Sequence, residues 1–148
     1  MATGLINPLG AVCLFDGEVP RTFSAVARGV ISGGDFVFVS GTAGAVGSQA
    51  SSYVASDIQV AHCDAEARVN GLALGNAGSG ELVTVATRGT YFLKADAAVS
   101  GGQLVVLGAN FDGVQNVTAS VGSDFVGVIG RAITEAGSDS YCLVSLNL

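Results

Sequence analysis

Between Thr22 and Leu146 the chain alternates short apolar runs with breaks at glycine, serine and aspartate. In the first run Phe23, Ala25 and Ala27 alternate with Ser24, Val26 and Arg28, the period of two expected of a strand that buries one face. Ser32-Gly33-Gly34 then turns the chain into Phe36-Val37-Phe38-Val39. That run is apolar on both faces, which predicts a central strand. Further strands are predicted over 53–60, 69–74, 82–93, 103–107, 114–119, 125–133 and 141–146. Gly89 interrupts the long run 82–93 and marks a bulge or corner. Asp112-Gly113 stands between two strand-like runs, a hairpin signal. His62 to Arg68, rich in alanine with early acidic residues, is the one predicted helical turn. About ten short strands with almost no helix predict an all-β fold, a compact β-barrel or sandwich.

Two blocks of this pattern occur twice and in the same order. Ser32-Gly33-Gly34 and its strand return at Ser100-Gly101-Gly102, followed by Gln103-Leu104-Val105-Val106-Leu107. Val69-Asn70-Gly71-Leu72-Ala73-Leu74, then Ala77-Gly78-Ser79-Gly80, is answered by Val128-Ile129-Gly130-Arg131-Ala132-Ile133, then Ala136-Gly137-Ser138-Asp139. Gly101 follows Gly33 by 68 positions and Gly130 follows Gly71 by 59. The two spacings differ by 9, so one β unit is duplicated with a longer middle in its first copy. The pseudo-repeats are placed at about 23–92 and 93–148. Residues 1–22 stand apart as an extended arm. Both prolines, Pro8 and Pro20, lie there, and Ala11-Val12-Cys13-Leu14-Phe15 is an apolar run suited to adding a strand to a sheet edge.

Composition narrows the function classes. Of 148 residues 49% are apolar and only 12% charged, with 22 glycines and a net charge of −6. So little charge leaves much neutral surface for partners to cover. The cations are Lys94 and five scattered arginines. Counterion release on nucleic acid needs clustered cations, so no nucleic-acid partner is expected. No run approaches the roughly 20 apolar residues of a spanning helix, and no basic start with an apolar core marks a signal peptide, so no membrane partner is expected either. Cys13, Cys63 and Cys142 are odd in number and flanked by apolar residues. They read as buried free thiols.

Candidate chemistry is sparse. His62, Cys63 and Asp64 are adjacent, and neighbours in sequence point apart on a strand or sit about 100° apart on a helix, so they do not converge on one atom. The Gly-rich segments are followed by strands where a phosphate loop needs a helix. Asp96, Asp112, Asp124, Glu135 and Asp139 fall in predicted turns, where aspartate bonds its own backbone, without calcium-loop spacing. The expectation is a non-enzymatic chain with no catalytic residues, no cofactor and no metal.

Taken together, Asp64–Leu74, Gly80–Gly89, Tyr91–Lys94 with Gly101–Val105, and Val126–Ala132 resemble the small capsid decoration proteins of tailed phages and related viruses, also called head-stabilising or cementing proteins. The resemblance covers most of residues 30–148. It implies a structural virion protein on the outer capsid surface, made in the host cytoplasm, often trimeric, which bridges neighbouring major capsid subunits and stabilises the shell. The partners implied are the major capsid protein and further copies of the chain. The arm residues Leu5, Ile6, Leu9, Val12, Leu14 and Phe15 are then the expected attachment element. The alternative is a trimeric tail-associated or adhesin-type module that recognises a host surface, against which the absence of tryptophan argues mildly.

Overall fold

Strand formation follows the glycine-bounded runs. The computed structural model describes residues 20–42, 58–64, 68–109, 111, 113–117 and 127–148. Nine strands are present among them: β1 (Arg21–Ala27), β2 (Phe36–Thr42), β3 (Ile58–His62), β4 (Gly71–Ala73), β5 (Leu82–Lys94), β6 (Leu104–Leu107), β7 (Val114–Asn116), β8 (Val128–Ala132) and β9 (Tyr141–Asn147). The fold is all-β. The described residues include no α-helix, and His62 ends β3 instead of opening the expected turn, whose residues 65–67 lie outside the described residues. The reason is backbone pairing: His62 lies opposite Val37 and Ala61 opposite Phe38 in the β2–β3 ladder.

The strands run in the order β1-β3-β2-β4-β5-β9-β8-β6-β7, with β1 also paired to β5. The last pairing closes β1, β3, β2, β4 and β5 into a five-stranded barrel, parallel only between β1 and β3. Closure removes the exposed edges that an open sheet would present. Beyond it, β9, β8, β6 and β7 continue from the second half of β5. A parallel bridge between Ala95 and Val114 brings β7 back beside the end of β5, so the second set also curls into a ring. β5 is common to both.

The two rings repeat many of one another's bonds. Bridge Ile31–Ala77 corresponds to Val99–Ala136 at the two sequence spacings. The Gly34 amide donates to Ala73, as the Gly102 amide donates to Ala132. Leu74 donates to Thr84 as Ile133 donates to Leu143, and Ala27 donates to Glu81 as Ala95 donates to Ser140. Even a side chain repeats: Ser79 Oγ donates to the Arg28 carbonyl and Ser138 Oγ to that of Asp96. In the β1–β5 ladder Ala25 faces Val83, and in the β5–β9 ladder Leu93 faces Cys142. By this correspondence the first half of β5 ends the first unit and its second half, with Ala95, opens the second. Gly89 sits at the changeover with φ 131°. Only glycine takes that conformation cheaply, and a side chain there would also strike the Tyr91 ring.

Each ring has its own buried cluster. Ala25, Ala27, Ile31, Val37, Val60, Ala73, Ala77, Val83 and Val85 fill the first. Their counterparts Leu93, Ala95, Val99, Val105, Val114, Ala132, Cys142 and Val144 fill the second, with Ala136 packed against it. The second cluster takes in more. Phe36, Leu72 and Ala86, next in sequence to the first ring's interior residues Val37, Ala73 and Val85, belong to it. Adjacent strand residues face opposite ways, so the outer face of the first ring is buried against the second. This explains why β2 is apolar on both faces.

Candidate interaction surfaces

The residues singled out for chemistry do not assemble. His62 is half-buried at the end of β3, Cys63 is buried beside it, and Asp64 is exposed, 4.0 Å from the Arg68 guanidinium. The Cys63 amide donates to the Phe36 carbonyl, which fixes the thiol in the cluster between the rings. Burial, reinforced by the charge of Asp64, pushes that thiol up to about 12. It is protonated at neutral pH, and a nucleophile needs the thiolate. Cys142 is likewise a buried free thiol, raised by burial, with its Sγ 3.7 Å from the Leu93 carbonyl. Cys13 lies outside the described residues.

Of the turn acids, Asp96, Glu135 and Asp139 are described, and Glu135 is exposed. Asp139 has φ 63°, its amide donates to the Ala95 carbonyl, and its carboxylate lies 3.1 Å from Lys94 Nζ. Asp96 is wedged between Gly108 and Gly113: a Cβ on either glycine would collide with its carboxylate. Its Oδ2 is buried without a hydrogen-bond partner. Among the described residues no three histidine, cysteine or carboxylate side chains converge as a metal site. Asp112 and Asp124 lie outside the described residues, as do all six arm residues, Leu5, Ile6, Leu9, Val12, Leu14 and Phe15.

Surfaces offer more than side-chain clusters do. Leu104, Val128, Gly130, Arg131, Ile133, Ser145 and Asn147 line an open groove of about 350 Å³ on the outer face of β6, β8 and β9. Arg131 extends along it and donates from Nη1 to the Gly102 carbonyl at 2.5 Å. Ile133 is 48% exposed. Under the repeat correspondence Leu104, Val128, Arg131, Ile133 and Ser145 occupy the places of Phe36, Val69, Leu72, Leu74 and Ala86. Those five belong to the inter-ring cluster or pack against it. The groove is therefore the second unit's version of the face that the first unit buries. Sequence reading missed it. Aligning the two repeats would have shown it, because Leu72→Arg131 and Ala86→Ser145 are changes from apolar to polar at equivalent places.

A second, shallower depression of about 280 Å³ is lined by Val30, Ile31, Ser32, Asn76, Ala77, Gly78 and Glu81. It lies at the Ser32-Gly33-Gly34 turn, where Asn76 Oδ1 accepts from the Gly33 amide and Glu81 Oε2 from the Gly78 amide. Its polar groups are occupied in holding the turn.

No family model matches the chain, and no curated protein matches it. Among solved structures it is similar to the head fiber gp8.5 N base of bacteriophage phi29, with a TM-score of 0.57 and 14% sequence identity. The match covers 86% of this chain and 94% of that one. At this identity what is shared is the fold.

Proposed function

We infer that this chain is a structural virion protein of a phage or related virus, which binds the outer surface of an assembled capsid and stabilises it by bridging major capsid subunits. The observation that carries the reading is the fold shared along 86% of the chain with the base of a phage head fiber. The sequence agrees with the role. A chain that is 12% charged presents neutral surface that can be covered with little desolvation cost. The buried, protonated Cys63 thiol and the scattered polar side chains are suited to packing and not to turnover.

In this reading the chain acts as a homo-oligomer, with a trimer favoured, and its partner is the major capsid protein. The arm ahead of β1, through Leu5, Ile6, Leu9, Val12, Leu14 and Phe15, forms the attachment element. Binding that favours only the assembled shell stabilises it by mass action, and many identical contacts act together across the head.

Locating the chain on purified particles tests the reading. Antibody labelling of the head shell at many copies per particle is the expected result. Labelling confined to the tail would overturn it in favour of the adhesin-type alternative. Truncation tests the arm: every described strand begins at Arg21 or later, so removing residues 1–20 should leave the fold intact and abolish loading onto heads. Normal loading by the folded truncated chain would remove the arm from the proposal.

A further inference from the structure

The inter-ring contact has two sides, and each has a counterpart elsewhere on the molecule that no other element covers among the described residues. The first unit supplies a face, Phe36, Leu72 and Ala86, to the cluster. The second unit supplies the end of its ring, where Tyr91, Leu107 and Leu146 are buried to 1% exposure or less. The face recurs on the second unit as the open groove of Leu104, Arg131, Ile133 and Ser145. The ring end recurs on the first unit, where the places of Tyr91, Leu107 and Leu146 are taken by Phe23, Val39 and Thr87. Phe23 and Thr87 are only half-buried, and Val39 is 44% exposed, whereas its counterpart Leu107 is fully buried.

We propose that the groove on β6, β8 and β9 of one copy receives the open end of the first ring, around Phe23 and Val39, of a second copy of this chain. The occupant follows from the chain's own packing. The same backbone geometry already joins such a face to such an end once, between the two units, and among the described residues the open face and open end are its two unused halves. A contact between unlike patches is heterologous, so it closes into a ring where the rotation permits. The groove keeps apolar Leu104, Val128 and Ile133 but substitutes Arg131 and Ser145 for Leu72 and Ala86. It thus stays soluble when empty, as an interface between separately folded copies requires. The inference rests on the homo-oligomer part of the proposed function and names the surface responsible.

Sedimentation of the full chain over a range of concentrations tests it, with Ile133→Asp breaking the groove and Val39→Asp breaking the ring end. Both positions are exposed. Leu82→Asp, at a site 64% exposed and outside both surfaces, serves as the control, and circular dichroism checks that each variant is folded. Each of the first two variants should weaken self-association about tenfold or more, because a carboxylate must be desolvated at the contact, while the control should leave it unchanged.

The decisive arm is the mixture. An Ile133→Asp copy keeps a working ring end and a Val39→Asp copy keeps a working groove, so equal amounts of the two should form dimers that grow no further. Self-association equal to that of the unmodified chain in both variants would overturn the inference and leave the homo-oligomer intact. Mixtures that fail to rescue, or an equal loss in Leu82→Asp, would overturn it too. A monomer at all concentrations would remove the homo-oligomer itself. Head binding by that monomer would still support the capsid role.

Discussion

The two rings share a backbone and differ in what they show to the outside. Inside, small or branched apolar residues occupy equivalent places: Val37 and Val105, Val60 and Val114, Ala73 and Ala132, Val85 and Val144. Outside, Leu72 is fully buried while its counterpart Arg131 is exposed. The interior therefore stays apolar in both rings, while the outer face changes from apolar to charged. Function is free to diverge where the interior constraint ends.

Exchanging the two outer residues should break this contrast most visibly. Leu72→Arg places a charge in the inter-ring cluster with no partner, which should cost more than about 4 kcal/mol or prevent folding. Arg131→Leu, its mirror image, loses one exposed hydrogen bond to the Gly102 carbonyl and should change stability by no more than about 1 kcal/mol. Urea unfolding at low protein concentration measures both. Similar costs at the two sites would mean that the faces are not inequivalent in the way described.

Where the rings agree, equivalent substitutions should behave alike. Gly71 and Gly130 are counterparts, and both let a neighbouring strand approach closely. A Cβ at Gly71 would meet the Val85 side chain and the Ala86 carbonyl, and one at Gly130 would meet the Ser145 carbonyl, itself the counterpart of Ala86. Gly71→Ala and Gly130→Ala should each destabilise by about 2–3 kcal/mol, since backbone cannot move aside as a side-chain tip can. Gly75, with nothing within 4 Å of its Cβ position, should accept alanine within about 0.5 kcal/mol. Thermal melts of the three variants decide the matter. A mild Gly130→Ala would show that β8 and β9 can separate slightly.

Much of this fold was legible from glycine spacing and period-two alternation. The Ser-Gly-Gly turns, the Gly71 and Gly130 strands and the corner at Gly89 all lie in regular strands or tight turns whose determinants are local. Three things were not legible. The sharing of β5 depends on pairing partners far away in sequence, Arg88 with Asn147 and Lys94 with Tyr141, which alternation along one strand does not encode. His62, expected to open a helical turn, ends β3 in the β2–β3 ladder, because local propensity in a short segment is weaker than cross-strand pairing; residues 65–67 of that turn lie outside the described residues. The groove was hidden since Leu104, Val128 and Ile133 look like any strand residues until set beside Phe36, Val69 and Leu74. The arm residues lie outside the described structure, so their role rests on the sequence.

The smallest expected difference concerns the two buried thiols, both in the larger cluster. Cys63 lies between the rings, and Cys142 lies inside the second at the place that Val83 holds in the first. Burial raises both, and for Cys63 the raised value is about 12 against an ordinary 9.0. In the unfolded chain the thiol ionises near the lower value, so the unfolded state holds fewer protons than the folded state between pH 9 and 12. The stabilisation is fully present below pH 9 and is lost as pH rises through that window, by at most about 1.4 kcal/mol per pH unit for one group. Unfolding in reducing buffer at pH 8, 9, 10 and 11 should show a steeper decline for the unmodified chain than for Cys63→Ala. An identical slope in the unmodified chain and Cys63→Ala would mean that the thiol is solvated, and that the inter-ring cluster is looser than the interior that holds Cys142.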